Sequence, residues 1–160
     1  RKIMALALAF AANSFRDAAT GPRMSAKMAT KEDDFKERFI EVMKNLHSDG
    51  QKDAEAMWLM GSLAARLVDK TRQGSWTQFK SSRTRRGYDQ LLADFASEGN
   101  AYHTQGKTKQ AYAVQLLAMS MIARYQKDED VQFGLKLLDE LIDRSIVTYK
   151  KNSKSAPSAN

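Results

Sequence analysis

The amino-acid sequence predicts an all-α fold, a bundle of antiparallel helical hairpins. Three observations carry that prediction. Only 2 of the 160 residues are proline and 8 are glycine, while Ala, Leu, Met, Lys and Gln, which lose little freedom in a helix, are abundant. Apolar residues recur every three or four positions over long stretches, the spacing of one helix face. No stretch alternates polar and apolar residues as a half-buried strand does. With 42% hydrophobic and 28% charged residues the composition is globular. A chain of this length buries a sufficient core without covalent staples.

The absence of cysteine removes disulfides, thiolate metal sites and cysteine nucleophiles together. The two histidines, His47 and His103, are too few for a His-rich metal centre, and no calcium-type acidic loop is present. No metal and no cofactor are expected. A formal net charge of +7 points to anionic partners: nucleic acid, acidic protein surfaces or lipid headgroups. A merely solvated basic surface accounts for it equally well.

Residues 1–29 admit two readings. Arg1 and Lys2 precede an apolar run, Ile3 to Ala12, the outline of a secretory signal, and Asn13 to Thr30 has Asp17 as its only acid, like an organellar transit region. The alternative is an Ala-rich helix packed on the body and ending near Gly21-Pro22. Export or organellar import follows from the first reading and a cytoplasmic location from the second. The run is too short to span a bilayer and no later segment is long enough, so no transmembrane segment is expected; peripheral membrane association stays open.

Residues 30–150 read as one helical domain. Thr30 is placed to cap a helix with Glu32, Asp33 and Asp34 in its first turn, where the dipole favours negative charge. Phe35, Phe39, Val42, Met43 and Leu46 form its apolar stripe, and His47-Ser48-Asp49-Gly50 ends it. A second helix, Asp53 to Thr71, carries Met57, Trp58, Gly61, Ala64, Ala65 and Val68, widened by Leu59, Leu63 and Leu67. Apolar on most of its surface, it is expected at the centre of the bundle, with Met57 and Trp58 in the core and Gly61 admitting a close neighbour. Gln73-Gly74-Ser75 breaks the pattern and Gly87 interrupts it again. A further helix begins near Tyr88-Asp89 with Leu91, Leu92 and Phe95. The next covers Lys107 to Gln126, with Ala111, Val114, Leu117, Ala118, Met121 and Ile122 on one face. The last runs from its cap Asp128 to about Lys150, with Val131, Leu135, Leu138, Ile142 and Tyr149. Residues 151–160 read as a flexible polar tail.

Phe95, Gly99, Tyr102, Gly106, Ala111 and Ala118 have a mechanical spacing. Gly99 and Ala111 are small where two helices touch, Phe95 and Tyr102 fill one face seven residues apart, Gly106 turns the chain, and Ala118 faces the next helix. Over residues 92–125 this resembles one partial tetratricopeptide (TPR) repeat. Glu98, Gln115 and Ala123 stand where the repeat usually has Leu, an aromatic and Pro, and no second repeat matches in register. The resemblance implies a TPR-like C-terminal half and a protein-binding role, and it names no ligand.

The same region fits a permissive phosphate-loop pattern, Ala101 to Thr108, with Lys107 for phosphates, Thr108 for a metal and Leu137-Leu138-Asp139-Glu140 as a faint acidic element. A phosphate loop must follow a buried strand, and Asp89 to Gly99 reads as helix, so the NTPase reading ranks last. There is no nucleophile elbow and no pair of metal-binding histidines on a helix. No catalytic residue is assigned, and no enzyme is expected.

Chemistry favours the basic stretch. Between Lys70 and Arg86 stand Lys70, Arg72, Lys80, Arg83, Arg85 and Arg86 with no acid. Trp76, Phe79 and Tyr88 lie close enough in sequence to stack on bases, and arginine also suits carboxylate-rich protein surfaces. The expected contact residues are Arg72, Trp76, Lys80, Arg83, Arg85, Arg86 and Tyr88, with the exposed side of the Tyr88–Tyr102 helix. The expected function is a non-catalytic helical adaptor or accessory subunit in a multiprotein complex, and the alternative is a nucleic-acid binder using the same cations. A basic loop with its aromatics tucked into the core accounts for the same residues.

Overall fold

The computed structural model describes residues 31–48 and 54–155. Among them all regular structure is helical: α1 (Lys31–Ser48), α2 (Ala54–Thr71), α3 (Trp76–Ser81), α4 (Arg85–Thr104), α5 (Thr108–Ala123) and α6 (Glu129–Ser155). The segment 1–29, the cap Thr30, the stop residues Asp49 and Gly50, and the start residue Asp53 lie outside the described residues, as do 156–160 of the tail.

The most completely buried helix is α5, with α2 packed beside it. Every residue from Ala113 to Ala123 is buried, with α4, α2 and α6 packed around it. A helix surrounded on all sides must be apolar on all sides, and α5 meets that condition with Gln115 and Ser120 as its buried polar exceptions. The second helix keeps an open side. Met57 is buried, but Trp58 is 41% exposed and meets Tyr149 of α6 edge-on at 5.3 Å between ring centroids. The stripes expected on α1 and α6 are buried as drawn, with Tyr149 at the margin.

The longest helix, α6, acts as the spine and packs against α1, α2, α3 and α5. Asp128 caps it, its Oδ1 accepting from the backbone N–H of Asp130 at 3.0 Å and of Val131 at 3.3 Å. The helix continues through Lys151 to Ser155, past the end expected near Lys150. Nothing between Lys151 and Ser155 breaks a helix, and the first residue that cannot continue one is Pro157. At the crossing of α2 on α6, a Cβ at Gly61 would lie 2.4 Å from the backbone oxygen of Ser145. Only glycine permits that approach.

Two turns are built the same way. Gly106 has φ +74; its N–H donates to His103 O at 3.1 Å and the Lys107 N–H donates to Tyr102 O at 2.9 Å. This is the Schellman closure of a helix C-terminus. Arg72 occupies the equivalent place after α2 with φ 57, the Arg72 and Gln73 amides donating to Asp69 and Val68 carbonyls. A side chain in the left-handed region there is strained. Gly87 does not interrupt a helix. It lies in the first turn of α4, which starts at Arg85 and is capped by Thr84, whose hydroxyl accepts from the Gly87 N–H at 3.3 Å.

Candidate functional site

The stretch between α2 and α4 contains the six-residue helix α3. Such a helix is too short to be stable alone, and its anchorage is tertiary. Trp76, Phe79 and Lys80 all face inward with no exposed surface. Two carboxylates one turn apart on α6 hold it. Asp143 accepts from the backbone N–H of Trp76 at 2.8 Å and from the Thr77 hydroxyl at 3.3 Å. Asp139 accepts from the Trp76 indole N–H at 3.1 Å and from the Lys80 ammonium at 2.7 Å.

Lys80 also donates to the backbone oxygen of Ser120 at 3.1 Å. That carbonyl belongs to the last turn of α5, the negative end of the helix dipole, where a cation is favoured. Burial nevertheless dominates. Desolvation pulls the Lys80 ammonium down to about 8, against the attraction of Asp139. Desolvation also raises Asp139 above the usual carboxylate range, against the opposing pull of Lys80. Both partners would titrate more readily to neutral than in water, the mark of an ion pair whose desolvation outweighs its attraction. Lys80 is closed to solvent, Asp139 keeps a small exposed edge, and together they latch α3 to the bundle.

Beside this latch lies a layer of two aromatic pairs. Trp76 stacks on Phe79 at 5.2 Å, and Tyr88 meets Tyr125 edge-on at 5.9 Å. Over the layer lie guanidinium groups: Arg83 is 5.1 Å from the Phe79 ring, Arg85 is 5.5 Å from Tyr125 and Arg124 is 5.9 Å from Tyr88. Arg124 also donates to the Ser81 hydroxyl at 3.3 Å, and the side chain of Arg83 lies along Gly87. Among the described residues no carboxylate pairs with Arg83, Arg85, Arg86 or Arg124. Tyr88 is buried and its hydroxyl has no hydrogen-bond partner among the described residues. Burial pushes that hydroxyl up to about 12, opposed by Arg124.

The residues expected to touch a partner therefore divide. Arg83, Arg85 and Arg86 come together at the start of α4. Arg72 is exposed in the turn after α2. Trp76, Lys80 and Tyr88 are interior, which takes them off the surface: the two aromatics fill the core and the lysine neutralises Asp139. Arg124 and Tyr125, absent from the expected set, complete the surface from the C-terminal end of α5. Asp139 was legible in principle, because it shares a helix face with Leu135, Ile142 and Ile146, all buried. A carboxylate on a core face requires a buried cation.

In the α4–α5 hairpin Phe95, Gly99, Ala111 and Ala118 are buried, Tyr102 is half-buried and Gly106 makes the turn. The chain leading into Gly106 is helix, not strand. The amides of Gly106, Lys107 and Thr108 already donate to the carbonyls of His103, Tyr102 and Gly106, so they are not directed at a phosphate as a phosphate loop requires. Among the described residues no three His, Asp or Glu side chains converge as metal ligands, and no helix is long and apolar enough to cross a membrane. Comparison with protein-family models, with curated proteins and with solved structures returned no match.

Proposed function

We propose that the protein is a non-catalytic helical adaptor or accessory subunit that binds another macromolecule through Arg83, Arg85, Arg86 and Arg124. The observation that carries this reading is a cluster of guanidinium groups, three of them held over aromatic rings, with which no carboxylate forms a salt bridge among the described residues. Three are fixed in place before any partner arrives, which lowers the ordering cost of binding. The most buried ion pair among the described residues, Lys80 with Asp139, latches α3 to α6 in this reading instead of serving chemistry. In this reading the α4–α5 hairpin acts as a single TPR-like unit that presents the arginines at its open end.

Charge reversal at Arg83, Arg85 and Arg86 is the direct test. Recovery of the native partner from extract is expected to be lost with the reversed protein while its helical circular dichroism is retained. Unchanged recovery would remove the surface assignment. A nucleic-acid partner is the second reading, favoured by the net charge of +7. It predicts a steep, linear loss of log affinity with log salt.

A further inference from the structure

We infer that the arginine surface takes a carboxylate-rich segment of another protein rather than a nucleic acid. The inference rests on the surface proposed above and adds the chemistry of its occupant. A guanidinium presents its N–H donors as a planar fork. Arg83, Arg85 and Arg124 lie over rings, Arg124 gives one donor to the Ser81 hydroxyl, and among the described residues no carboxylate takes up the others. Carboxylates match that fork bidentately. Generic recognition of single-stranded nucleic acid needs exposed rings on which bases stack. Here Trp76 and Phe79 have no exposed surface and Tyr88 is buried, while the protein's own arginines lie over Phe79, Tyr88 and Tyr125. Of the four rings only Tyr125 is partly exposed, so a nucleic acid would rely on phosphate contacts with at most one ring to stack on.

The local electrostatics also demand an anion. The first turn of α4 carries Arg85 and Arg86 and no acid, the reverse of what the positive end of a helix dipole favours. Arg83 and Arg124 add two like charges beside it. The nearest acid in the sequence, Asp89, stands one turn on from Arg85, yet its Oδ1 is buried with no hydrogen-bond partner. An acidic segment laid across this end relieves the repulsion and completes the pairing that the fold omits.

The test measures binding of three probes of equal length to the full chain at about 0.15 M salt: poly-glutamate, poly-glutamine and oligothymidylate. Two variants separate the patch from the net charge. One carries Arg83→Glu, Arg85→Glu and Arg86→Glu; the control carries Lys70→Glu, Lys107→Glu and Lys136→Glu, the same change in charge at exposed sites elsewhere. Poly-glutamate is expected to bind, poly-glutamine not to bind, and oligothymidylate to bind more weakly. The arginine variant is expected to lose affinity by about tenfold or more and the lysine control by about threefold or less. Tighter binding of oligothymidylate, or equal losses in the two variants, overturns the inference. If poly-glutamate fails and oligothymidylate binding is abolished by the arginine variant alone, the surface stands and only its occupant is wrong. If no probe distinguishes the two variants, the surface falls as well.

Discussion

Lys80 touches a carboxylate at 2.7 Å and a carbonyl at 3.1 Å and has no exposure to water. Removing one member of such a pair strands the other, whereas removing both charges together does not. Lys80→Met is therefore expected to lower unfolding free energy by about 3–5 kcal/mol in denaturant titration. Lys80→Met with Asp139→Asn, which keeps an acceptor for the Trp76 indole, is expected to recover at least about 2 kcal/mol of that. The pH dependence follows from the depressed lysine. From about pH 8 to its ordinary value of 10.5 the unfolded chain holds a proton that the folded one has released. Stability contributed by this group thus rises with pH across that window and is lost as pH falls through it. The raised Asp139 works the other way: its contribution is present below the ordinary value of 3.8 and lost as pH rises above it. Thermal melts of the native protein relative to the double variant are expected to improve between pH 8 and pH 10.5. A difference that is flat across that range would refute the assignment of Lys80.

At the scale of elements, two positions set opposite expectations. Gly61 lies 2.4 Å, measured from a Cβ built on it, from the Ser145 backbone. Gly61→Ala must push α2 off α6 and is expected to cost about 1–3 kcal/mol or more. Arg72 holds a left-handed conformation without being glycine, so Arg72→Gly is expected to stabilise by about 0.5–1 kcal/mol, read as an upward shift in melting temperature. Long periodic helices such as α1 and α6 were legible in the sequence because their stripes exceed two turns. The short helix α3 was not, since its six residues hold less than two turns and its anchors lie far away on α6. The start of α4 was disguised by Arg85 and Arg86, cations where acids normally announce a helix. The near-complete burial of α5 was hidden by Gln115 and Ser120, polar residues that the fold buries. Arg83, Arg85 and Arg86 could be read as a surface from charge alone. The inward turn of Trp76, Lys80 and Tyr88 depends on Asp139 and on α5, neighbours that no local pattern specifies.

For the molecule as a whole, the balance of charge predicts its response to ionic strength. Exposed pairs such as Lys109 with Glu55 and Lys150 with Asp69 contribute little and weaken further with salt. Repulsion within a chain of net charge +7, concentrated where the arginines gather, is screened by the same salt. Raising sodium chloride from about 0.01 M to about 0.2 M is expected to raise the melting temperature by about 2 °C or more. A fall over that range would mean that the surface pairs outweigh the arginine cluster.

The seclusion of Lys80 makes it an internal clock. Amine-directed acylating reagents require a neutral, accessible nitrogen, and this one becomes accessible only when the short helix lifts from the spine. Under brief treatment with an excess of reagent, the other lysines whose side chains the structure describes, none of them buried, would be labelled at once. Position 80 would be modified at the rate at which the aromatic layer opens, and peptide mass spectrometry of that single site would time the event without any engineered probe.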